Sequence, residues 1–163
     1  MVRNGDGIVL SGSGNRIARN HIVNSRGCGD ECGVGISLED GNGNLITGNV
    51  VRHSRDTGIR LLTFVRSQHL RDNVVRNNRV RGAGRYALMV GPSATRALLK
   101  GNRVSRAGDD GIHVESPTAK LTRNHARRNG DLGIAAPAGV IDGGGNTAGG
   151  NGNPLQCLNV FCG

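Results

Sequence analysis

The chain has 163 residues, including 28 Gly and 17 Asn, but only two Phe, one Tyr and no Trp. This length fits one domain, and so much Gly and Asn, which are poor helix formers, excludes a helical bundle. Four Pro and no strict Gly triplet exclude a collagen triple helix. The net charge is +9, and 19 of the 21 basic residues are Arg, which favours an anionic partner. No run of 18 apolar residues exists, so no membrane span is predicted.

An internal repeat organises the chain. Six marker asparagines recur at intervals of 29, 29, 24, 22 and 22 residues: Asn20, Asn49, Asn78, Asn102, Asn124 and Asn146. A second marker, Gly or Ala followed by Ile or Leu, runs in phase with them at 35–36, 58–59, 87–88, 111–112 and 133–134. Some repeats are longer because they contain the segments 28–32 and 63–69, which are interpreted as loop insertions. A repeat of this length predicts a solenoid.

Each repeat predicts three short strands. In chain order, an aliphatic residue stands three positions before the marker Asn, another stands two positions after it, and an alternating pair begins at the Gly-Ile marker. This alternation is the side-chain period of a strand. We therefore predict an all-β, single-stranded parallel β-helix of about six coils over 1–150, followed by a C-terminal cap over 151–163. Leucine-rich repeats share the period, but their Leu-x-x-Leu-x-Leu consensus is absent.

The marker asparagines are predicted to be structural. Asn tolerates the left-handed backbone that a tight bend needs, so we expect each marker Asn to occupy such a bend. Its amide group both donates and accepts hydrogen bonds. Asparagines stacked coil upon coil are therefore expected to form a hydrogen-bonded ladder.

The recurring pattern Asn-x-(Ile/Val), followed by Gly-Ile-x-(Leu/Val) from Gly7 to Ala148, resembles the right-handed parallel β-helix repeats of the pectin-lyase-like superfamily. Among these it is most similar to NosD-like extracellular repeat proteins. The resemblance implies a right-handed coil, but that fold carries lyases, hydrolases, epimerases, tailspikes and accessory proteins. Because Gly7-Ile8 is already a marker, we expect a partner chain or a preceding segment of a longer protein to cover the first coil.

Four cysteines form two local pairs. Cys28 and Cys32 follow the first marker Asn, whereas Cys157 and Cys162 follow the last one. Five coils at the ~4.8 Å strand spacing separate the pairs by about 24 Å, which excludes one shared zinc site, since Zn–S bonds are about 2.3 Å long. Two disulfides are predicted, one in a loop and one in the cap, with free thiols as the alternative. Disulfides indicate an oxidising compartment, so we predict a secreted protein.

Outward positions near the markers carry a stripe of arginines. The stripe consists of Arg52, Arg79, Arg81, Arg103 and Arg127. Guanidinium groups bind carboxylates, sulfates or phosphates through paired hydrogen bonds, so these five residues are predicted to bind substrate. The alternative is a solvated face that only keeps the chain soluble. Nucleic acid is disfavoured because single strands bind on aromatic platforms and the chain has three aromatic residues. The predicted secretion and the resemblance to extracellular β-helix repeat proteins imply an acidic polysaccharide as the partner.

A second candidate surface is acidic. Asp56, Asp109 and Asp131 each lie seven residues after a marker Asn, and Asp110 follows Asp109. Paired carboxylates can divide acid, base and nucleophile roles, so Asp109, Asp110 and the neighbouring His113 are the candidate catalytic residues. The alternatives are hydrogen bonds to the turn backbone and calcium binding by the row of carboxylates. No metal ligand or other cofactor is assigned.

The segment 108–114, Gly-Asp-Asp-Gly-Ile-His-Val, is similar to the Gly-Asp-Asp-Cys-Ile element of polygalacturonase-type glycoside hydrolases. That similarity implies hydrolase or lyase chemistry. The preceding coil departs from the family, because it reads Gly-Arg-Tyr-Ala at 84–87 instead of carrying Asn-Thr-Asp. Neither Gly-His-Gly nor Arg-Ile-Lys follows, and the Asp-Pro-His signature of alginate epimerases is absent.

Two classes of function follow from these patterns. The leading hypothesis is a secreted β-helix module that engages an acidic polysaccharide along the arginine stripe, with lyase or hydrolase chemistry at the acidic corner if the protein is an enzyme. The alternative is a non-enzymatic structural or assembly segment, the C-terminal part of a longer extracellular repeat protein.

Overall fold

The computed structural model describes residues 5–26, 33–65 and 69–163, which consist of short strands joined by tight turns. In chain order the strands are β1 (Ile8–Ser11), β2 (Arg16–Ala18), β3 (His21–Val23), β4 (Ile36–Asp40), β5 (Leu45–Thr47), β6 (Val50–Arg52), β7 (Ile59–Leu61), β8 (Leu70–Arg71), β9 (Val74–Arg76), β10 (Arg79–Arg81), β11 (Leu88–Val90), β12 (Ala94–Thr95), β13 (Leu98–Lys100), β14 (Arg103–Ser105), β15 (Ile112–Val114), β16 (Lys120–Thr122), β17 (His125–Arg127), β18 (Ile134–Ala135), β19 (Ile141–Asp142), β20 (Thr147–Gly149) and β21 (Cys157–Leu158).

The strands stack into three long parallel sheets. Sheet 1 has the order β1-β4-β7-β11-β15-β18-β21, sheet 2 the order β2-β5-β9-β13-β16-β19, and sheet 3 the order β3-β6-β10-β14-β17-β20. A small additional sheet pairs β8 with β12. The chain visits sheets 1, 2 and 3 in turn and then returns one strand further along sheet 1. It therefore winds as a parallel β-helix of six to seven coils, which confirms the predicted fold class.

A thin aliphatic core fills the interior of the coil. Sheets 2 and 3 each contribute one inward column, represented by Ile46 and Val51, and sheet 1 contributes two, represented by Ile59 and Leu61, all at most 1% exposed. The inward positions predicted before and after the marker asparagines are buried from the second coil to the fifth. Small side chains suffice because the three sheets face one another across a narrow interior.

The marker asparagines form a continuous ladder between sheets 2 and 3. The Asn102 side chain shows the repeating pattern: its Oδ1 accepts hydrogen bonds from the backbone N and Nδ2 of Asn78, both at 3.1 Å. Its Nδ2 donates to the Val75 carbonyl at 2.9 Å and to Asn124 Oδ1 at 3.0 Å. Side-chain bonds of this kind link all six markers in sequence order. The ladder thus satisfies buried backbone and side-chain groups at every coil.

The left-handed backbone at this corner belongs to the residue before each marker Asn. These residues are Arg19, Gly48, Asn77, Gly101, Arg123 and Gly145, with φ between 54° and 70°. The expectation that the marker Asn itself adopts the left-handed conformation is therefore wrong. The preceding residue makes the bend, and the Asn side chain is left free to point into the interior, where Asn102 is 0% exposed.

Two further columns of asparagines stabilise the other corners. Five residues before the markers, Asn44 Nδ2 donates to Asn73 Oδ1 at 3.1 Å. Five residues after the markers, Asn129 Nδ2 donates to Asn151 Oδ1 at 2.8 Å. The first column occupies the N-terminal coils and the second the C-terminal coils, while small buried residues occupy other positions of these columns: Ala97 and Ala119 in the first, and Ser25, Ser54, Ala83 and Ala107 in the second.

The C-terminal segment continues the stack before it ends in a disulfide. Strand β21 pairs in parallel with β18, so sheet 1 extends past residue 150. The division of the chain between 150 and 151 stays a prediction. Cys157 and Cys162 form a disulfide with their Cα atoms 6.2 Å apart. The predicted pair Cys28 and Cys32 lies outside the described residues. In the part of the chain that is described, no helix could span a membrane.

Replacing Asn102 with Ala is expected to destabilise the protein by about 3 kcal/mol, because the buried donors of Asn78 lose their acceptor. Asn15→Ala is the matched control, since the exposed Asn15 side chain donates only to the Ser13 carbonyl, at 3.1 Å. That variant should change stability by less than about 0.5 kcal/mol. Urea unfolding measures the free energy of unfolding of both variants. Equal losses of stability in the two variants would contradict a stabilising role of the ladder.

Candidate functional site

The predicted arginine stripe lies on the outer surface of sheet 3. Backbone pairing places Arg79 beside Arg103 and Arg81 beside Arg52, so these side chains emerge from neighbouring strands in two rows. Arg127 lies at the far end of the second row, beyond Ser105, and His125 continues the first row. We call the surface formed by these five arginines the arginine face: Arg52, Arg79, Arg81, Arg103 and Arg127. Because strands are spaced by ~4.8 Å, each row repeats at that interval.

Two shallow cavities open on this surface. One has a volume of about 450 Å³ and is lined mainly by Arg79, Arg103, Ser105, His125 and Arg127. A second, of about 320 Å³, is lined by residues that include Arg106 and Arg128. These two arginines occupy left-handed corner positions at the end of sheet 3, with φ of 58° and 57°. The sequence interpretation missed them, although both stand four residues after a marker Asn.

The positive charge of the arginine face is not neutralised internally. Salt bridges within the described residues involve Arg60, Arg96 and His113, and none involves an arginine of this face. Arg60 on sheet 1 shows the contrasting behaviour: its side chain is 7% exposed and lies 3.6 Å from Glu39. The arginine face therefore presents five guanidinium groups whose hydrogen-bond donors are available to an external anion.

The predicted acidic residues meet at the corner between sheets 3 and 1. The backbone N of Asp131 donates to the Asp109 carbonyl at 3.2 Å, which stacks the two residues on adjacent coils. Arg85 occupies the same position one coil earlier, between Asp109 and Asp56, so the column is not continuously acidic. One carboxylate oxygen from each of Asp109, Asp110 and Asp131 lies within 4.8 Å of the others. We call these three residues the acidic corner.

Asp110 joins the acidic corner to His113. Its carboxylate is buried; Oδ1 accepts a hydrogen bond from the Leu132 backbone N at 3.0 Å, and Oδ2 lies 2.8 Å from His113 Nδ1. Asp6 has the same position relative to its Gly-Ile marker, and its Oδ1 accepts from the backbone N of Gly33 and Val34. The predicted turn role is thus visible at both positions, while the contact with an imidazole distinguishes Asp110.

His113 sits among groups that the sequence interpretation did not connect with it. Its ring stacks on Tyr86, with centroids 4.2 Å apart and an interplanar angle of 16°. The Arg85 guanidinium carbon lies 4.7 Å from the Tyr86 ring centroid, and His113 Nε2 lies 3.6 Å from Glu115. The sequence did contain a signal for this contact. Tyr86, the only Tyr of the chain, directly precedes the marker pair 87–88, as Asp110 directly precedes the marker pair 111–112.

Burial and charge shift the titration of this cluster. Burial raises the pKa of Asp109, and the nearby Asp110 and Asp131 carboxylates raise it further. The hydrogen bond that His113 Nδ1 donates to the Asp110 carboxylate raises the pKa of His113, because it favours the imidazolium form. Burial raises the pKa of the Tyr86 phenol. Such a set of neighbouring groups can exchange protons with a bound molecule.

The acidic corner offers only part of a metal site. Calcium takes six to eight oxygen ligands, and three carboxylates lie close enough to share an ion. Both Asp110 oxygens, however, already bond to Leu132 and His113. Calcium at this corner stays a prediction, and no resident metal is assigned.

The chain can now be compared with known proteins. The family model for the right-handed β-helix region matches residues 6–156. The chain belongs to the right-handed β-helix family. This assignment gives the coil its hand and confirms the resemblance recognised in the repeats.

Similar solved structures support the same fold. A crystal structure of a single-substitution mutant of the periplasmic alginate epimerase AlgG superimposes with a TM-score of 0.73 and 20% sequence identity. A double mutant of the same protein gives a TM-score of 0.69 and 20% identity. In both cases the match covers 95% of this chain and 42% of the AlgG chain. No curated protein sequence matches this chain significantly.

The His113–Asp110 contact is expected to stabilise the fold in acid. The pKa of His113 is raised above its ordinary value of 6.5 in the folded state, so the contribution is fully present below pH 6.5 and disappears as pH rises through the folded value. The wild-type protein should therefore be more stable than the His113→Gln variant, and this difference should be largest at pH 5.5 and smallest at pH 9. Urea midpoints across this range measure the difference, and a difference that grows with pH would contradict the assignment.

Proposed function

We propose that this β-helix binds an acidic polysaccharide along the arginine face. The observation that carries the proposal is the double row of arginines on sheet 3, three of which line a surface cavity and none of which forms a salt bridge with a described residue. A guanidinium group can form two parallel hydrogen bonds with one carboxylate or sulfate. A rigid sheet holds these groups at fixed spacing, so little conformational freedom is lost when the ligand binds.

The chemistry of the surface favours an acidic sugar over the other polyanions. Apart from the arginines, the outward positions of sheet 3 carry histidines, valines and small residues, with no Phe, Tyr or Trp on which nucleobases or neutral sugar rings could stack. The alginate epimerase of similar fold is named for an acidic polysaccharide, which supports the same ligand class here. The Cys157–Cys162 disulfide supports an oxidising, extracytoplasmic location, where such polymers occur.

Substituting Arg79 and Arg103 together with Gln should weaken binding to polygalacturonate or alginate by about tenfold or more, because each charge-assisted contact contributes on the order of 1 kcal/mol. The matched control replaces Arg76 and Arg16 with Gln. Both are exposed on sheet 2, and their removal changes the net charge equally. Calorimetry at two salt concentrations measures the affinities, and wild-type binding should fall steeply as salt rises.

Equal weakening by the sheet 2 control would show that only net charge matters, and would contradict a binding face on sheet 3. Wild-type protein that binds neither polymer at low salt would favour the alternative function, a non-enzymatic structural or assembly segment. The two results thus distinguish a binding face on sheet 3 from a net-charge effect and from a structural segment that binds no polysaccharide.

Proton transfer at the acidic corner is a second candidate function. The favouring observation is the 2.8 Å contact between buried Asp110 and the partly exposed His113. With Nδ1–H donated to Asp110, the neutral imidazole would present Nε2 as a general base, positioned by the carboxylate. The acidic corner does not fit inverting glycoside hydrolysis, because its carboxylate oxygens lie within 4.8 Å of one another and that reaction needs carboxyl groups ~6.5–9.5 Å apart.

If this candidate is correct, wild-type protein should release unsaturated or reducing ends from polygalacturonate or alginate. His113→Gln and Asp110→Asn should each reduce the rate by about a hundredfold or more, as expected for loss of a general base. The assay follows absorbance at the wavelength of the unsaturated product together with a reducing-sugar test. An activity that survives both substitutions would remove Asp110 and His113 from catalysis, and an activity that Asp109→Ala leaves untouched would remove Asp109.

A further inference from the structure

The arginine face has a defined length and direction, which constrain the ligand more closely than its charge does. The outward pairs along sheet 3 can be given strand by strand: His21 and Val23 on β3, Val50 and Arg52 on β6, Arg79 and Arg81 on β10, Arg103 and Ser105 on β14, His125 and Arg127 on β17, and Thr147 and Gly149 on β20. Arginine therefore occurs on four consecutive strands and on neither of the two strands that flank them.

The direction of the ligand follows from these pairs. A chain lying along a strand could meet at most two outward residues, and only β10 has arginine at both positions. A chain lying along the helix axis crosses one strand every ~4.8 Å and meets arginine on four strands in succession. Charge pairing is therefore greatest when the ligand runs parallel to the helix axis.

The length of the bound ligand segment follows from the strands without arginine at the two ends of the arginine face. From β6 to β17 there are three strand steps, which correspond to about 14 Å at the ~4.8 Å spacing. Beyond β17, the next strand offers Thr147 and Gly149, and before β6 the strand offers His21 and Val23. Additional anionic groups past either end would meet no guanidinium group of the sheet.

We infer that the arginine face recognises an acidic oligosaccharide segment that lies along the helix axis and places one anionic group on each of four adjacent strands. The inference rests on the proposed function and specifies the ligand of the same surface. One uronate carboxylate per sugar, linked in an extended chain, provides the required series of anions, one for each strand of the two arginine rows. Arg52, Arg103 and Arg127 each hold one carboxylate, and the pair Arg79 and Arg81 holds the one between Arg52 and Arg103.

Oligogalacturonates of one to eight units test this inference by calorimetry. Affinity should rise about threefold to tenfold with each unit up to four, since each added contact contributes on the order of 1 kcal/mol. Beyond four units the gain per unit should fall below about twofold, because only the number of equivalent binding registers increases. A plateau at one or two units, or an undiminished rise beyond six, overturns the inference.

A gain-of-function variant gives an independent readout. Gly149 pairs with Arg127 across sheet 3, and a Cβ atom placed on it would meet no atom within 4 Å. Gly149→Arg should therefore extend the run to five strands and move the plateau from four to five units. Ile141→Arg is the matched control, because it adds the same charge to the exposed Ile141 of sheet 2 in the same coil. It should leave the plateau at four.

The outcomes distinguish the inference from the proposed function. If polygalacturonate binds but neither the wild-type plateau nor its shift in Gly149→Arg is seen, only the four-strand register is overturned. If the polymer fails to bind at low salt, the proposed function and the inference both fail. Circular dichroism and urea midpoints establish that each variant retains the fold before its affinity is compared.

Discussion

The hydrogen bonds of the asparagine ladder are the constraint on which the surface depends. Each of the four central marker side chains bonds to the marker of the next coil and to a carbonyl of the preceding one, so one coil cannot slide past another without breaking several buried bonds. A one-residue slip would also turn every outward side chain into the core. The ladder therefore determines which residues become neighbours along the axis, and the arginine face is a consequence of that register.

The same architecture separates opposite charges on one small molecule. Arginines emerge from the flat outer surface of sheet 3, whereas the acidic corner lies in the turn that leads to sheet 1. Arg60 shows what happens where the two signs meet, since it is buried against Ser37 and Glu39 and offers little to solvent. Because the arginine face lacks such partners, its charges remain available to a ligand at some cost in mutual repulsion.

Much of this could be predicted from the sequence, because two patterns recur from coil to coil: the marker Asn and the alternation of side chains along each strand. The marker spacing predicted the ladder position, and strand alternation predicted which side of sheet 3 Arg79 and Arg103 occupy. The corner details were not accessible. The left-handed backbone falls on the residue before the marker Asn, which is Gly at three markers, Arg at two and Asn at one, and the flanking columns change between Asn and smaller residues along the stack. The Tyr86–His113 stack depends on side-chain rotamers of adjacent coils, which no repeat pattern specifies.

Hydrogen exchange of the asparagine side-chain amides tests the central claim most directly. If the ladder holds the coils in register, NMR should show the Nδ2 protons of Asn78, Asn102 and Asn124 exchanging as slowly as the backbone amides of the central strands. The exposed Asn15 amide provides the fast reference within the same molecule. Exchange of the three marker amides at the rate of Asn15 would contradict the ladder, and with it the alignment of the arginine face.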